Sequence, residues 1–287
     1  FDSRDFPKAE IINQLKRNDL DIAFIHEHGL TERMFISGDF ATKGAEDHHL
    51  AIQHGLKKLA LRNIKNDTDH EKFLKNYVEK YNLSPSVIEA YDSPSFKEKD
   101  SLRNIDQGIN TNEIDGINPN VRLTIFDACY NGDFREDDYI GGRFIFSDGN
   151  ALLALANTVS ILQDVNTPHL IGTLGMGINI GRWAQYNHVL ESHVLGDPTF
   201  VFTPNSTKKV TSIPTEKDNN KLLAALAQAT IPDVKNLILT QLYWNYYPKL
   251  AALLEQEYKT STYSTTRYTC LHLANLLHKE KGQFLNQ

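Results

Sequence analysis

The 287-residue chain contains little cysteine, none of the common zinc-binding motifs and no long apolar run. Its two cysteines, Cys129 and Cys270, are too few for a disulfide framework in a chain of this length. Cys-x-x-Cys pairs and the His-Glu-x-x-His motif are absent, which argues against a structural zinc site. We expect no catalytic metal and no cofactor, although the acidic loop 133–138 would permit calcium to bind for stability. No stretch approaches the roughly 20 apolar residues that a membrane-spanning helix needs, so we expect no membrane span.

An excess of positive charge is also missing. The sequence has 30 Lys and Arg against 36 Asp and Glu, which gives a formal net charge of −6. Domains that bind nucleic acid carry a basic surface patch, so this composition argues against a nucleic-acid partner.

Two predicted strands end in reactive side chains. Residues 21–25 (DIAFI) form an apolar run that ends in the His-Glu-His-Gly sequence 26–29, and residues 121–126 (VRLTIF) lead directly into Asp127-Ala128-Cys129. Parallel strands of an α/β sheet carry their reactive groups at the same edge. A thiol beside an imidazole is a nucleophile with its base, so we expect Cys129 and His28 to act together.

The wider pattern alternates strands and helices up to about residue 204, which predicts an α/β domain over 1–204 with a mostly parallel central sheet. Residues 92–108, which include Pro94 and a charged run, predict a solvated loop. The remaining predictions are helices over 7–18, 47–64, 69–81, 139–146 and 168–187, a short hairpin arm over 31–38, and strands over 151–156 and 199–202.

The composition changes after Pro204. Residues 205–215 are rich in Ser, Thr and Lys, and they predict a linker. Four helical patterns follow, near 219–229, 232–242, 246–258 and 262–278, so residues 216–287 predict a separate all-helical module.

Other interpretations of these residues stay open. His26 points to the same face as His28 by strand alternation, and only the following glycine favours His28. A second His-Gly pair, at position 54, lies inside a helical pattern with no strand before it. A cysteine at a strand end is often a small buried hydrophobe, and Cys270 fits a helix core.

Residues 127–134 (DACYNGDF) closely resemble the nucleophile segment of the gingipain-type cysteine peptidases, which have the caspase–hemoglobinase fold of clan CD. The chain also supplies, in the order of that family, the His28-Gly29 pair and a closing Leu-Gly-Asp-Pro turn at 195–198. The resemblance covers roughly residues 7–203. It implies a caspase-like three-layer sandwich, peptide or protein substrates, and an extracellular or cell-envelope location in a bacterium.

The resemblance also implies roles for individual residues. Cys129 would be the nucleophile and His28 the general acid and base, and the N–H groups of Gly29 and Cys129 would bind the oxyanion. Residues after the post-cysteine strand line the substrate pocket in this fold, so we expect pocket roles for Asn157, Thr158, Ser160 and Trp183.

The chain departs from the family pattern in two ways. A first strand with its helix normally precedes the histidine strand, so we expect this strand to be supplied by an upstream segment of the same precursor, to be swapped in, or to be absent. A long insertion also separates His28 from Cys129. A catalytically inactive caspase-like scaffold therefore stays an alternative. A metal hydrolase built on Asp47, His48 and His49 is disfavoured, since adjacent histidines near a helix start typically face solvent and no third ligand has suitable spacing.

Overall fold

The computed structural model describes residues 7–36, 44–64, 69–89, 93–162, 169–186, 190–204 and 210–284. The chain forms two compact units, residues 1–163 and 164–287. The second unit contains the predicted linker and helical module. The predicted domain boundary at residues 204–216 stays a prediction, and residues 205–209 of the linker lie outside the described part.

The first unit is an α/β structure. In chain order its elements are α1 (Pro7–Leu15), β1 (Ile22–His26), β2 (Gly29–Leu30), β3 (Arg33–Phe35), α2 (Ala45–Ile64), α3 (His70–Lys80), α4 (Ser86–Glu89), α5 (Pro94–Asp106), β4 (Gly108–Asn110), α6 (Thr111–Ile117), β5 (Leu123–Asp127), α7 (Ile140–Phe146) and β6 (Leu153–Asn157).

The main sheet of this unit has β5 between β1 and β6, and both pairings are parallel. Every residue of β5 and β6 is buried, as expected for strands covered on both faces. The ring of Phe126 meets that of Phe144 on α7 edge to face, with centroids 5.1 Å apart. The apolar runs that predicted these strands thus form the centre of the unit.

A second, antiparallel sheet contains β2, β3 and β4. Its first two strands form a tight hairpin that begins at Gly29, immediately after His28. The predicted hairpin arm at 31–38 is therefore present but starts two residues earlier. Residues 37–38 of that prediction lie outside the described part.

The predicted solvated loop over 92–108 is wrong, because most of it forms α5. The side chain of Ser93 accepts a hydrogen bond from the N–H of Phe96 at 3.2 Å and caps the helix. Pro94 stands in the first turn, where a missing N–H breaks no helical hydrogen bond. Phe96, Asp100 and Arg103 are buried along one face. The charged run is therefore part of an amphipathic helix.

The second unit is mostly helical. Its elements are a 3₁₀ helix (Ile171–Met176), α8 (Ile180–Ala184), β7 (Ser192–Gly196), a second 3₁₀ helix (Ile213–Thr215), α9 (Asn219–Gln228), α10 (Pro232–Trp244), α11 (Leu250–Thr260) and α12 (Ser264–Phe284). The four helices predicted beyond residue 216 are all present. The first two match their predicted bounds to within two residues, α11 begins four residues later than predicted, and α12 ends six residues later.

Two predictions before these helices are wrong. The single helix over 168–187 is divided, because Gly177 adopts a left-handed φ of 90° that ends the 3₁₀ helix before α8 begins. The strand predicted over 199–202 is absent. There the side chain of Asp197 accepts a hydrogen bond from the N–H of Thr199 at 2.8 Å, which forms a turn.

The α/β organisation with mostly parallel central strands and a helical C-terminal region is confirmed. Among the helices within the described ranges, none combines the length and apolar character that crossing a membrane requires.

Candidate active site

The predicted nucleophile and base follow two neighbouring strands. Strands β1 and β5 pair in parallel from Ile22 opposite Leu123 to His26 opposite Asp127. Because the strands run in the same direction, the chain leaves both of them at the same edge of the sheet. His28 stands two residues beyond the end of β1, and Cys129 two residues beyond the end of β5.

The backbone at Gly29 lies against the backbone of Cys129. A Cβ atom at position 29 would stand 2.3 Å from the carbonyl oxygen of Cys129 and 2.7 Å from Oδ1 of Asn131. No side chain fits in that space, so only glycine allows the two segments to approach this closely. The His-Gly pair therefore allows the histidine segment to lie beside the cysteine.

Asn131 joins the same two segments through its side chain. Its Nδ2 donates to the carbonyl oxygens of Leu30, at 2.5 Å, and Arg33, at 2.9 Å, across the turn of the β2–β3 hairpin. The residue is fully buried, and its Oδ1 has no hydrogen-bond partner among the described atoms. The amide thus fixes the hairpin that starts at Gly29 to the loop that carries Cys129.

The cysteine loop is also held by the loop after β6. The N–H groups of Tyr130 and Gly132 donate to the carbonyl oxygens of Val159, at 3.2 Å, and Asn157, at 2.9 Å. The side chain of Asn157 donates back to the carbonyl oxygens of Phe126 and Ala128, each at 3.0 Å. These bonds hold Tyr130 in a left-handed conformation, with a φ of 58°, directly after the cysteine.

The thiol of Cys129 is partly exposed and faces residues 160–161. Its Sγ lies 3.4 Å from Oγ of Ser160 and 3.5 Å from the carbonyl oxygen of Ile161. The N–H of Ile161 donates to the same sulfur at 3.3 Å. Of the predicted pocket residues, Ser160 is thus brought into contact with the predicted nucleophile.

The imidazole of His28 is exposed. The residue is anchored through its backbone, because its carbonyl oxygen accepts from the N–H of Phe35 at 3.1 Å. Within the described ranges no hydrogen bond joins His28 to Cys129. The structure therefore brings the two segments together without forming the imidazole–thiol contact.

The other predicted pocket residues have structural partners. Thr158 is buried, and its carbonyl oxygen accepts from Nη2 of Arg135 at 2.9 Å. Arg135 also binds the carboxylate of Asp133, and this hydrogen bond lowers the pKa of Asp133. Trp183 belongs to α8 of the second unit, where it is buried and its indole N–H donates to the carbonyl oxygen of His169 at 2.8 Å. The predicted roles of these residues in substrate binding stay predictions.

A histidine–aspartate pair at the same edge was not predicted. Nδ1 of His26 lies 2.5 Å from Oδ2 of Asp127, at the last register position of β1 and β5. The sequence places both residues at the ends of predicted strands. Their pairing depends on the register between β1 and β5, which a single sequence does not give. The pair adds an oriented imidazole to the site.

Within the described ranges, no group of three or more His, Cys, Asp or Glu side chains is placed to hold a metal ion. Comparisons of the chain with protein-family models, with curated proteins and with solved structures found no match.

Proposed function

We propose that this protein is a cysteine endopeptidase that cleaves peptide or protein substrates through Cys129 and His28. The observation that carries the proposal is the close approach of Gly29 to the Cys129 backbone at the shared edge of β1 and β5. This contact supports a site in which one strand supplies the thiol and its neighbour supplies the imidazole. The caspase-like three-layer arrangement implied by the sequence resemblance is part of the same proposal.

In the proposed reaction the sulfur of Cys129, as the thiolate, attacks the carbonyl carbon of the scissile peptide bond. The C–N bond then breaks, and His28 gives the leaving amine the proton that it has taken from the Cys129 thiol. A water molecule then attacks the carbonyl carbon of the thioester, and its proton passes to His28. The C–S bond breaks, which releases the carboxylic acid product and regenerates the Cys129 thiolate beside a protonated His28. The proposal requires the exposed imidazole of His28 to come into range of the sulfur when substrate binds, since catalytic hydrogen bonds are often long in sites without substrate.

The N–H groups of Gly29 and Cys129 are proposed to stabilise the oxyanion of the tetrahedral intermediate. In the best-studied case, one such donor contributes about 3–4 kcal/mol. Ser160, which contacts the sulfur, is proposed to line the substrate pocket with Asn157 and Thr158. The thiolate needs no metal for attack, so activity should require a reduced thiol and survive chelation.

The test compares Cys129→Ala with Cys270→Ala on a mixed peptide pool, with cleavage read by mass spectrometry. Hydrolysis should disappear in the first variant and persist in the second. Activity that survives Cys129→Ala would end the cysteine-peptidase proposal.

A second candidate function is a catalytically inactive caspase-like scaffold for protein interaction or secretion. It is favoured by the lack of a described hydrogen bond between His28 and Cys129. A peptidyl acyloxymethyl ketone separates the two functions, because it labels a cysteine that an active site has prepared for attack. Selective labelling of Cys129 supports the peptidase, whereas equal inertness of Cys129 and Cys270 supports the scaffold.

A further inference from the structure

A cavity of about 420 Å³ lies within the second unit, independent of the proposed peptidase site. Its lining comes from residues 169–171 and from the first turns of α10 and α12. Apolar surface is supplied by Leu170, Ile171 and the ring of Tyr268. A mostly apolar cavity of this volume with a few polar groups is typical of small-molecule sites.

One wall of the cavity carries the carboxyl group of Asp233. No cationic side chain in the described ranges pairs with it. Burial raises the pKa of this carboxyl group, which means that its environment disfavours an uncompensated negative charge. Gly172 approaches the group closely, since a Cβ at position 172 would stand 1.8 Å from Oδ2 of Asp233. The carboxyl group therefore occupies a tightly fitted position.

Asn236, one turn further along α10, lines the same cavity. Its side chain is 2% exposed, and its Oδ1 finds no hydrogen-bond donor within the described part of the chain. A buried amide oxygen without a donor is rare in folded proteins and calls for a partner that the described part of the chain does not supply. Asp233 and Asn236 thus offer two acceptors without described donors on one helix face.

We propose that this cavity binds an alkylammonium group, with Asp233 and Asn236 accepting its N–H donors and the apolar wall holding its aliphatic chain. An ammonium group has three donors and no acceptor, which matches the Asp233 carboxylate and the Asn236 amide oxygen, both without a described donor. A divalent cation fits poorly, because Mg²⁺ and Ca²⁺ need about six or more oxygen ligands. The group could belong to a free small amine or to a lysine side chain of a peptide.

The test uses the full ¹⁵N-labelled chain in two-dimensional NMR titrations. The probes are n-pentylamine, the isosteric 1-pentanol and pentanoate, with Nα-acetyl-lysine methylamide as the peptide-like source of the same group. We expect the amine to shift signals of residues 169–171, 233–236 and 264–268, and to bind at least about tenfold more tightly than the alcohol. The pentanoate should bind more weakly than either. Tighter binding of n-pentylamine would indicate a free small amine as the ligand, and tighter binding of Nα-acetyl-lysine methylamide would indicate a lysine side chain of a peptide.

Two variants complete the test. Asp233→Asn should reduce the affinity for pentylamine to that for pentanol, whereas Glu255→Gln, which removes an exposed acidic group on α11, should leave it unchanged. Equal binding of amine and alcohol, shifts outside the cavity, no binding, or an unchanged affinity in Asp233→Asn would each overturn the proposal. If Asp233→Asn does not fold, the comparison of the probes on the unmodified protein decides the question alone.

Discussion

His26 and Asp127, the last residues of two neighbouring parallel strands, are joined by a 2.5 Å contact between Nδ1 and Oδ2. The carboxylate side chain is only 2% exposed, whereas the imidazole is 53% exposed. A carboxylate that binds Nδ1 fixes the orientation of the ring and leaves Nε2 to exchange protons. The sheet edge therefore carries two histidines: His26, which is oriented by an acidic group, and His28, which precedes Gly29.

The first prediction separates these two histidines. If His28 is the acid and base, His28→Ala should lower kcat for peptide hydrolysis by roughly 10²–10⁴-fold. His26→Ala should keep most of the activity, because its ring then serves only to pair with Asp127. Steady-state kinetics on a peptide cleaved by the unmodified protein provide the measurement. If His26→Ala and Asp127→Asn lose activity while His28→Ala keeps it, the base is His26.

The second prediction concerns the two thiols. Burial, with the nearby charge of Glu257, raises the pKa of Cys270 to about 11, so its reactive thiolate stays scarce until the pH approaches that value. Cys129 is partly exposed. Iodoacetamide at about pH 8 should therefore modify Cys129 first in the folded protein, as read by peptide mass spectrometry.

Labelling after denaturation provides the control, because both thiols should then react at similar rates. Equal reaction in the folded protein would show that the packing around Cys270 does not exclude the reagent.

The third prediction tests the amide that joins the hairpin to the cysteine loop. Asn131→Ala removes the buried amide that donates to the carbonyl oxygens of Leu30 and Arg33. The free energy of unfolding should fall by roughly 1–3 kcal/mol. The matched control is Asn150→Ala, which removes an exposed amide and should change stability by less than about 0.5 kcal/mol. Urea denaturation measures both, and equal effects would contradict the structural role of Asn131.

The sequence predicted the parts of this site that depend on local pattern. Apolar runs located β1, β5 and β6, and the residues after them located His28 and Cys129. The contacts that assemble the site depend on partners about a hundred positions away, such as Asn131 with Leu30 and His26 with Asp127. Such contacts follow from strand order and register, which local hydrophobic patterns do not encode.

Helix α5 shows the opposite difficulty. Its charged run suggested a solvated loop, but the helix buries Asp100, which accepts hydrogen bonds from His54 and Lys57 on α2. The charge pattern along the chain did not indicate that Asp100 pairs with a buried histidine and a half-buried lysine. The spacing of Phe96, Asp100 and Arg103 was the signal that could have indicated the helix.

The fourth prediction concerns this buried cluster. Burial alone would raise the pKa of Asp100, but the hydrogen bonds from Lys57 and His54 outweigh it and lower the pKa below the ordinary value. A lowered folded-state pKa gives stability that is present above the unfolded pKa and is lost as the pH falls through the folded one. Asp100→Asn should thus lower the free energy of unfolding by roughly 1–3 kcal/mol at about pH 6, and by less at about pH 3.

Glu98→Gln provides the comparison, since Glu98 lies exposed on the same helix. Its denaturation curves should follow those of the unmodified protein at both pH values. If the difference in free energy of unfolding between Asp100→Asn and the unmodified protein stays constant or grows at acid pH, the assigned direction of the pKa change is wrong.

The fifth prediction uses the two His-Gly pairs of the chain as a matched set. At Gly29 an added Cβ would meet the Cys129 carbonyl oxygen at 2.3 Å, so Gly29→Ala must force the hairpin away from the cysteine loop. At Gly55, inside α2, nothing lies within 4 Å of an added Cβ. Alanine is the better helix former, so Gly55→Ala should stabilise the protein by roughly 0.5–1 kcal/mol.

Gly29→Ala should lower the free energy of unfolding and abolish the labelling of Cys129 by the peptidyl acyloxymethyl ketone. Thermal unfolding and mass spectrometry measure the two effects, and a Gly29→Ala protein as stable and as readily labelled as Gly55→Ala would show that the close approach is not required.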